Sequence, residues 1–157
     1  MSDPAVVNLD DVVASADETD PAGYRSRAAR FGPLLGAEML GGTVYELDPG
    51  QSVCPYHYEY GREEWLIVLT GSPLLRAPRG DERVRAGDVV CFPEGPDGAH
   101  KVTNVADPLV RILMLSTMRD PSVAFYPDSG KIGVWPPGSL FREADAVDYW
   151  LGEAPSG

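Results

Sequence analysis

The sequence is poor in the residues on which several common functions depend. Of its 157 residues only two are cysteine and two are histidine, and 13 Lys and Arg stand against 24 Asp and Glu, a formal net charge of −11. Nucleic acids and anionic membrane surfaces attract concentrated positive charge, so we expect neither as a partner. No apolar run approaches the roughly 20 residues needed to cross a bilayer, and the amino terminus lacks the basic-then-apolar order of a signal peptide. These absences predict a cytoplasmic protein in which Cys54 and Cys91 are free thiols.

The length and composition are those of one globular domain, with 43% hydrophobic and 24% charged residues. From Gly41 onward, short β-prone runs alternate with Gly and Pro, which is typical of a β-sandwich or barrel. We therefore divide the chain into an N-terminal arm (1–40), a β-barrel (41–117) and an aromatic and proline-rich C-terminal tail (118–157). Because frequent proline disfavours both helix and central strand, we expect the tail to wrap over the barrel.

The first stretch with metal-binding chemistry is PYHYEYGREEWLIVLTG, residues 55–71. His57 and Glu59 are two residues apart, so on a β-strand their side chains leave the same face. Gly61 permits a turn, and Glu64 begins a second, apolar strand. If the two strands form a hairpin, Glu64 lies opposite His57 and Glu59.

The second stretch is GDVVCFPEGPDGAHKVTN, residues 87–104. His100 follows a turn rich in Gly and Pro and begins a short strand, HKVTN. The chain has no other histidine besides His57 and His100. Together the two stretches therefore predict a cluster of two imidazoles and two carboxylates.

The spacing of these residues resembles the two sequence motifs of the cupin superfamily. The first motif has the order Gly, His-x-His, Glu, Gly, and the second has the order Gly, Pro-x-Gly, His, Asn. The residues that match the first motif are Gly50, His57, Glu64 and Gly71, with Glu59 where a second histidine is expected. Those that match the second are Gly87, Pro93, Gly95, His100 and Asn104. The resemblance implies an all-β fold, a cupin jelly-roll β-barrel, in which one divalent metal ion is bound by His57, Glu59, Glu64 and His100.

Two properties of this implied site stay open. Glu59 is either a metal ligand or a general base that points toward a coordinated water. Two imidazoles combined with carboxylates favour Mn²⁺ or Fe²⁺, with Zn²⁺ and Ni²⁺ as alternatives.

The resemblance also implies a class of activity. Many cupins are metalloenzymes that act on a small organic substrate, either by activating oxygen, as dioxygenases do, or by polarising a carbonyl group, as isomerases and lyases do. Burying a carboxylate in a cavity beside a metal costs stability, and such an arrangement is expected mainly where catalysis uses it. This favours an enzyme. The alternative is a non-catalytic cupin that binds a small ligand or a metal.

The strand that begins at Glu64 continues with five apolar residues, WLIVL, and so needs cover on both faces. Leu66 and Val68 share the face of Glu64, whereas Trp65 and its neighbours at 67 and 69 point outward. We expect the outer face to be covered by the arm, by the aromatic tail or by a second subunit. An apolar patch of this size predicts a homodimer.

Other polar and aromatic residues receive structural interpretations. Asn104 is expected to support its turn through hydrogen bonds to the backbone, and Tyr58 is expected to pack on the face away from the site. Arg25, Arg27 and Arg30 either contact an anionic ligand or form a solvated face, and we expect the latter.

Overall fold

The architecture is built almost entirely from antiparallel strands, which confirms the all-β fold class. The structure is a computed structural model that describes residues 5–153; residues 1–4 of the arm and 154–157 of the tail lie outside this range. Its strands are β1 (Ser15–Ala16), β2 (Arg27–Arg30), β3 (Leu40–Leu47), β4 (Tyr58–Tyr60), β5 (Glu64–Thr70), β6 (Leu74–Ala77), β7 (Gly80–Arg83), β8 (Val89–Phe92), β9 (Lys101–Thr103), β10 (Val110–Thr117), β11 (Ser122–Tyr126), β12 (Lys131–Trp135) and β13 (Ser139–Arg142). Short 3₁₀ segments span Gly32–Leu35, Pro96–Gly98 and Glu143–Asp145. Among the described residues, no helix has the length and apolar character to span a membrane.

The strands form three sheets around one core. The largest has the order β1-β2-β3-β10-β5-β8, and smaller sheets have the orders β13-β12-β11-β4 and β7-β6-β9. The centre of the large sheet is β10, which pairs along its full length with β3 and on its other side with β5. Strand β7, with its charged residues, is exposed at the edge of the smallest sheet.

The core is filled by alternate residues of the central strands. Leu66 and Val68 of β5 and Ile112 of β10 are fully or almost fully buried, and they pack with Leu75 and Val102 from the smallest sheet. Complete burial of one such side chain stabilises the fold by about 1.5–3 kcal/mol. The predicted inward face of β5 is therefore confirmed, and Glu64 begins the strand that carries this face.

The N-terminal arm is more regular than the sequence indicates. Strands β1 and β2 extend the large sheet, with β2 paired to β3. The guanidinium of Arg27 forms ion pairs with Glu46 and Asp48, at 3.1 and 2.6 Å. The guanidinium of Arg27 is therefore paired within the protein and is not available to bind an anionic ligand.

The proline-rich tail contains strands, including central ones, although its frequent proline was expected to disfavour a central strand. Residues 122–142 contain β11, β12 and β13, and β11 pairs with β4. The prolines of this region lie in the connections at 121, 127, 136 and 137, where a missing N–H does not interrupt a ladder. The described part of the tail does not pair with β5, whose neighbours are β8 and β10, and Trp65 remains 42% exposed.

The predicted hairpin between the two strands of the first motif is also wrong. Strand β4 pairs with β11, whereas β5 pairs with β8 and β10. Gly61 leads the chain from one sheet into the other; its φ is +85°, and a Cβ added there would lie 2.6 Å from the carbonyl oxygen of Pro121. A side chain is therefore excluded at this turn, and residues of β4 and β5 meet across the barrel.

Candidate metal centre

The two histidines are held side by side by their own backbones. His57 and His100 form an isolated antiparallel bridge, with N–H···O distances of 3.2 and 2.8 Å. Their ring centroids are 4.8 Å apart, and both side chains are buried. Residues that are 43 positions apart in the sequence are thereby fixed at one place in the barrel.

The hydrogen bonds of the imidazoles orient their remaining nitrogens toward one carboxylate. Nδ1 of His57 lies 3.1 Å from the carbonyl oxygen of Pro55, and Nδ1 of His100 lies 2.9 Å from that of Gly98. Because a carbonyl oxygen only accepts, Nδ1 carries the hydrogen and Nε2 of a neutral ring presents its lone pair. This is the arrangement that supports histidine ligands in metal sites.

Glu64 completes a group whose dimensions fit a metal ion. Its Oε2 lies 3.7 Å from Nε2 of His57 and 3.4 Å from Nε2 of His100, and the ligand atoms of all three residues lie within 4.8 Å of one another. Metal–ligand bonds of about 2.0–2.2 Å place adjacent ligands roughly 3.0–3.5 Å apart. His57, Glu64 and His100 therefore suit one divalent cation and leave further coordination positions open.

The two histidines of the group differ in their pKa values and so in their protonation. Burial lowers the pKa of His57, but its hydrogen bonds with Cys54 and Glu64 outweigh burial and raise that pKa to about 11. Burial and the charge of His57 lower the pKa of His100 to about 4. Burial also disfavours the charged form of Glu64, but the hydrogen bond from His57 and the charge of His100 reverse this effect and lower its pKa. Without a metal, His57 is thus protonated and His100 neutral at neutral pH, and a cation bound by both rings would displace the extra proton of His57.

Glu59, the fourth predicted ligand, has a different environment. It is not a member of the group of three within 4.8 Å, although its side chain is only 14% exposed. Among the described residues, its Oε2 is buried without a hydrogen-bond partner, and the closest cation, Nε of Arg62, is 3.9 Å away. Burial and the charge of Glu64 raise the pKa of Glu59. Both of its roles, ligand and general base, stay predictions.

Two further residues at the site were not assigned to it from the sequence. The ring of Tyr126 stacks on His57 at a centroid distance of 5.8 Å and an interplanar angle of 21°, and burial together with the charges of Cys54, Glu59 and Glu64 raises its pKa. Sγ of Cys54 lies 3.5 Å from Nδ1 of His57. Cys54 could have been found from its position three residues before His57. Tyr126 carries no such signal, because only the pairing of β11 with β4 brings it there.

The second motif supports the site through its backbone. Nδ2 of the fully buried Asn104 donates to the carbonyl oxygens of Leu47 and Asp107, and its Oδ1 accepts from the amides of Ala106 and Asp107. The predicted structural role of Asn104 is therefore confirmed. At Gly98, a Cβ would collide with the carbonyl group of Pro93, so the turn before His100 requires glycine.

Other predictions about the surroundings of the site are confirmed as well. Tyr58 stacks on Phe125, at a centroid distance of 5.1 Å, in an aromatic cluster with Tyr60. Cys54 and Cys91 are both free thiols.

Several solved structures resemble this fold. A sugar phosphate isomerase of the cupin superfamily from Silicibacter pomeroyi covers 92% of this chain and 97% of its own, with a TM-score of 0.79 and 21% identity. A candidate sugar phosphate isomerase from Acidithiobacillus ferrooxidans covers 91% and 95%, with a TM-score of 0.77 and 21% identity. A polyketide cyclase from Streptomyces resistomycificus covers 74% and 82%, with a TM-score of 0.60 and 25% identity.

No curated protein sequence matches the chain. Residues 43–116, however, match the family model of the cupin domain. This range contains both motifs and the strands that position His57, Glu64 and His100. The sequence match therefore identifies residues 43–116 as a cupin domain, and the jelly-roll neighbours support this assignment through the shared fold.

Proposed function

We propose that this protein is a metal-dependent enzyme that transfers a proton within a small organic substrate containing a carbonyl group, the chemistry of an isomerase or lyase. The observation that carries the proposal is the carboxylate of Glu59 beside the group of His57, Glu64 and His100. Within residues 5–153, its buried Oε2 has no hydrogen-bond partner. A buried carboxylate oxygen without a hydrogen bond, with only the guanidinium of Arg62 at 3.9 Å, is costly to maintain. Such groups are concentrated where chemistry uses them.

The residues of the site divide the work. One divalent cation is held by His57, Glu64 and His100. Its ligands favour Mn²⁺ or Fe²⁺ over Zn²⁺ or Ni²⁺. When bound, the cation supplies the Lewis acidity that polarises a substrate carbonyl. Glu59 accepts the proton from the neighbouring carbon and returns it to another position. Its raised pKa brings it closer to neutral pH and so suits both steps.

The comparisons support this class of reaction without naming a substrate. Two neighbours that cover more than nine-tenths of the chain are described as sugar phosphate isomerases. Interconversion of an aldose and a ketose moves a proton between adjacent carbons, which is the step assigned to Glu59. Hydroxyaldehydes and hydroxyketones are therefore the first compounds to test.

The deciding experiment measures metal content and proton exchange together. Protein purified without chelator is analysed for bound metal, then incubated in D₂O with a panel of hydroxyaldehydes and hydroxyketones, with and without phosphate, while NMR records deuterium incorporation. We expect one metal per chain and exchange at a carbon next to the carbonyl. Bound metal without exchange or turnover would favour the non-catalytic cupin, and consumption of oxygen would favour the dioxygenase.

We also propose that the protein forms a homodimer through the outer face of β5. Trp65 is 42% and Leu40 54% exposed, and with Leu115 they line an apolar groove of about 350 Å³. An apolar groove on a sheet is commonly covered by a symmetric partner. Light scattering should give twice the monomer mass of 16.9 kDa, and Trp65→Ser should shift the mass toward the monomer. A wild-type mass equal to that of one chain would contradict the proposal.

A further inference from the structure

Arg62 lies at the boundary between the candidate site and solvent. It follows Gly61 in the connection from β4 to β5. On its inner side, Nε is 3.9 Å from Oε2 of Glu59, and on its outer side Nη2 is 3.3 Å from Oδ1 of Asp120. The exposed fraction of the side chain rises from 14% at Glu59 through 26% at Arg62 to 64% at Asp120. The guanidinium therefore extends from the interior of the site to the surface.

The hydrogen bonds of this guanidinium are long. Those found are 3.3 Å to Asp120 and 3.5 Å, from Nε, to the carbonyl oxygen of Arg119. Arg76 provides an internal reference, because its two terminal nitrogens bind both oxygens of Asp128 at 2.6 and 2.8 Å. A guanidinium offers five N–H donors in a planar fork that matches a carboxylate or phosphate. Arg62 does not use this fork as fully as Arg76 does.

The charge of Arg62 also acts on the catalytic side of the boundary. Its positive charge opposes the rise in the pKa of Glu59 and contributes to the lowered pKa of Glu64. A ligand group held by Arg62 would therefore be adjacent to the proposed base. The arrangement places a guanidinium next to the proposed proton acceptor, 3.9 Å from its Oε2.

We propose that Arg62 binds an anionic oxygen group of the substrate, phosphoryl or carboxylate. In the free protein Asp120 pairs with the guanidinium, and the substrate group displaces Asp120 when it binds. The inference deepens the proposed function and rests on it, because it adds the charged end of the substrate to the carbonyl end. Asp120 competes with the ligand for Arg62. Removing the charge of Asp120 should consequently strengthen binding, whereas removing that of Arg62 should weaken it.

The test uses isothermal titration of metal-loaded protein with inorganic phosphate and, separately, with acetate. The relative affinity for these two probes distinguishes a phosphoryl from a carboxylate site. We expect Arg62→Gln to weaken binding of the preferred anion by about tenfold, the loss typical of a charge-assisted hydrogen bond. Arg62→Lys should retain part of the affinity, and Asp120→Asn should bind more tightly than wild type. Arg76→Gln makes the same change of charge at a different ion pair, that with Asp128, and should have no effect.

Opposite effects at positions 62 and 120 separate a binding site from a purely structural ion pair. If Arg62→Gln and Arg76→Gln lower affinity equally, or if Asp120→Asn does not tighten binding, the inference is wrong. Metal stoichiometry, measured on the same samples, should be unchanged in every variant. If the wild type itself binds no metal, the proposed function is contradicted. Failure of the anion-binding proposal is therefore distinguishable from failure of the proposed function.

Discussion

The two carboxylates of the site lie on different sheets and differ in what surrounds them. Oε2 of Glu64 faces Nε2 of both His57 and His100, and the pKa of Glu64 is lowered in spite of its burial. Oε2 of Glu59 has no hydrogen-bond partner in the part of the chain that the structure describes, and burial raises the pKa of this residue. Two carboxyl groups whose pKa values move in opposite directions suit different roles in one reaction. Glu64 is suited to remain ionised beside a cation, and Glu59 is suited to exchange a proton.

The difference follows from the strands that carry the two residues. Glu64 begins β5, which is paired on both sides in the large sheet and faces the bridge between the histidines. Glu59 belongs to β4, a strand of three residues at the edge of its sheet. Its nearest cation comes from the connection that follows, at Arg62, rather than from a paired strand.

The largest effect is expected when the half of the site around Glu64 is broken. His100→Ala and Glu64→Gln should each lower the affinity for a divalent metal by more than about 100-fold, since even residues that only support a ligand are worth about 10–100-fold. Both variants should remain folded, because the barrel rests on its apolar core. Metal titration monitored by calorimetry measures the effect. Glu63→Gln is the matched control, as Glu63 accepts a hydrogen bond from the indole of Trp65 on the outer face; undiminished metal stoichiometry in His100→Ala would refute the assignment.

The next effect concerns Glu59 and decides between its two roles. If Glu59 is the base, Glu59→Gln should keep the metal and lower turnover by about 10²–10⁴-fold, the usual contribution of a general base. If it is a ligand, the same change should weaken metal binding, and Glu59→His should partly restore it. Metal titration and the deuterium-exchange assay on both variants separate these outcomes. Wild-type metal affinity in both variants would exclude ligation.

The sequence predicted the grouping of His57, Glu64 and His100 because all three occupy positions of the two cupin motifs, although non-local pairing brings the two histidines together. Strand periodicity aims the side chains, and the glycines and prolines of the motifs fix the turns between them. The hairpin prediction was wrong because a turn at Gly61 is compatible with either a hairpin or a crossing between sheets. The local sequence does not distinguish these two connections, since the outcome depends on the pairing of β4 with β11, more than 60 residues later in the chain.

Tyr126 was missed for the same reason. Its contact with His57 exists only because the tail contributes β11 to the sheet of β4. Proline at 121 and 127 made the segment between them resemble a loop, yet five residues are enough for a strand. Non-local pairing of this kind is decided by the packing of the whole barrel rather than by propensity.

A smaller effect tests the unequal protonation of the group. With the pKa of His57 raised to about 11 and that of His100 lowered to about 4, one proton must leave when a metal binds at neutral pH. Titrations in buffers of different ionisation enthalpy should show about one proton released per metal, and affinity should rise by about tenfold per pH unit between roughly pH 7 and 9. Affinity that is independent of pH in this window would mean that His57 is neutral before the metal binds.

The smallest effect concerns the influence of Arg62 on Glu59. The positive charge of Arg62 favours the ionised form of Glu59 and so opposes the rise of its pKa. In Arg62→Gln, that pKa should therefore increase further. Because the base acts in its ionised form, the acid limb of the pH–rate profile should move to higher pH, by less than about one unit for a partly solvated pair. Arg119→Gln is the control, since Arg119 is 71% exposed and pairs with Glu94. An acid limb that moves equally in both variants would indicate a general effect of net charge, and one that moves to lower pH in Arg62→Gln would exclude Glu59 as the ionising base.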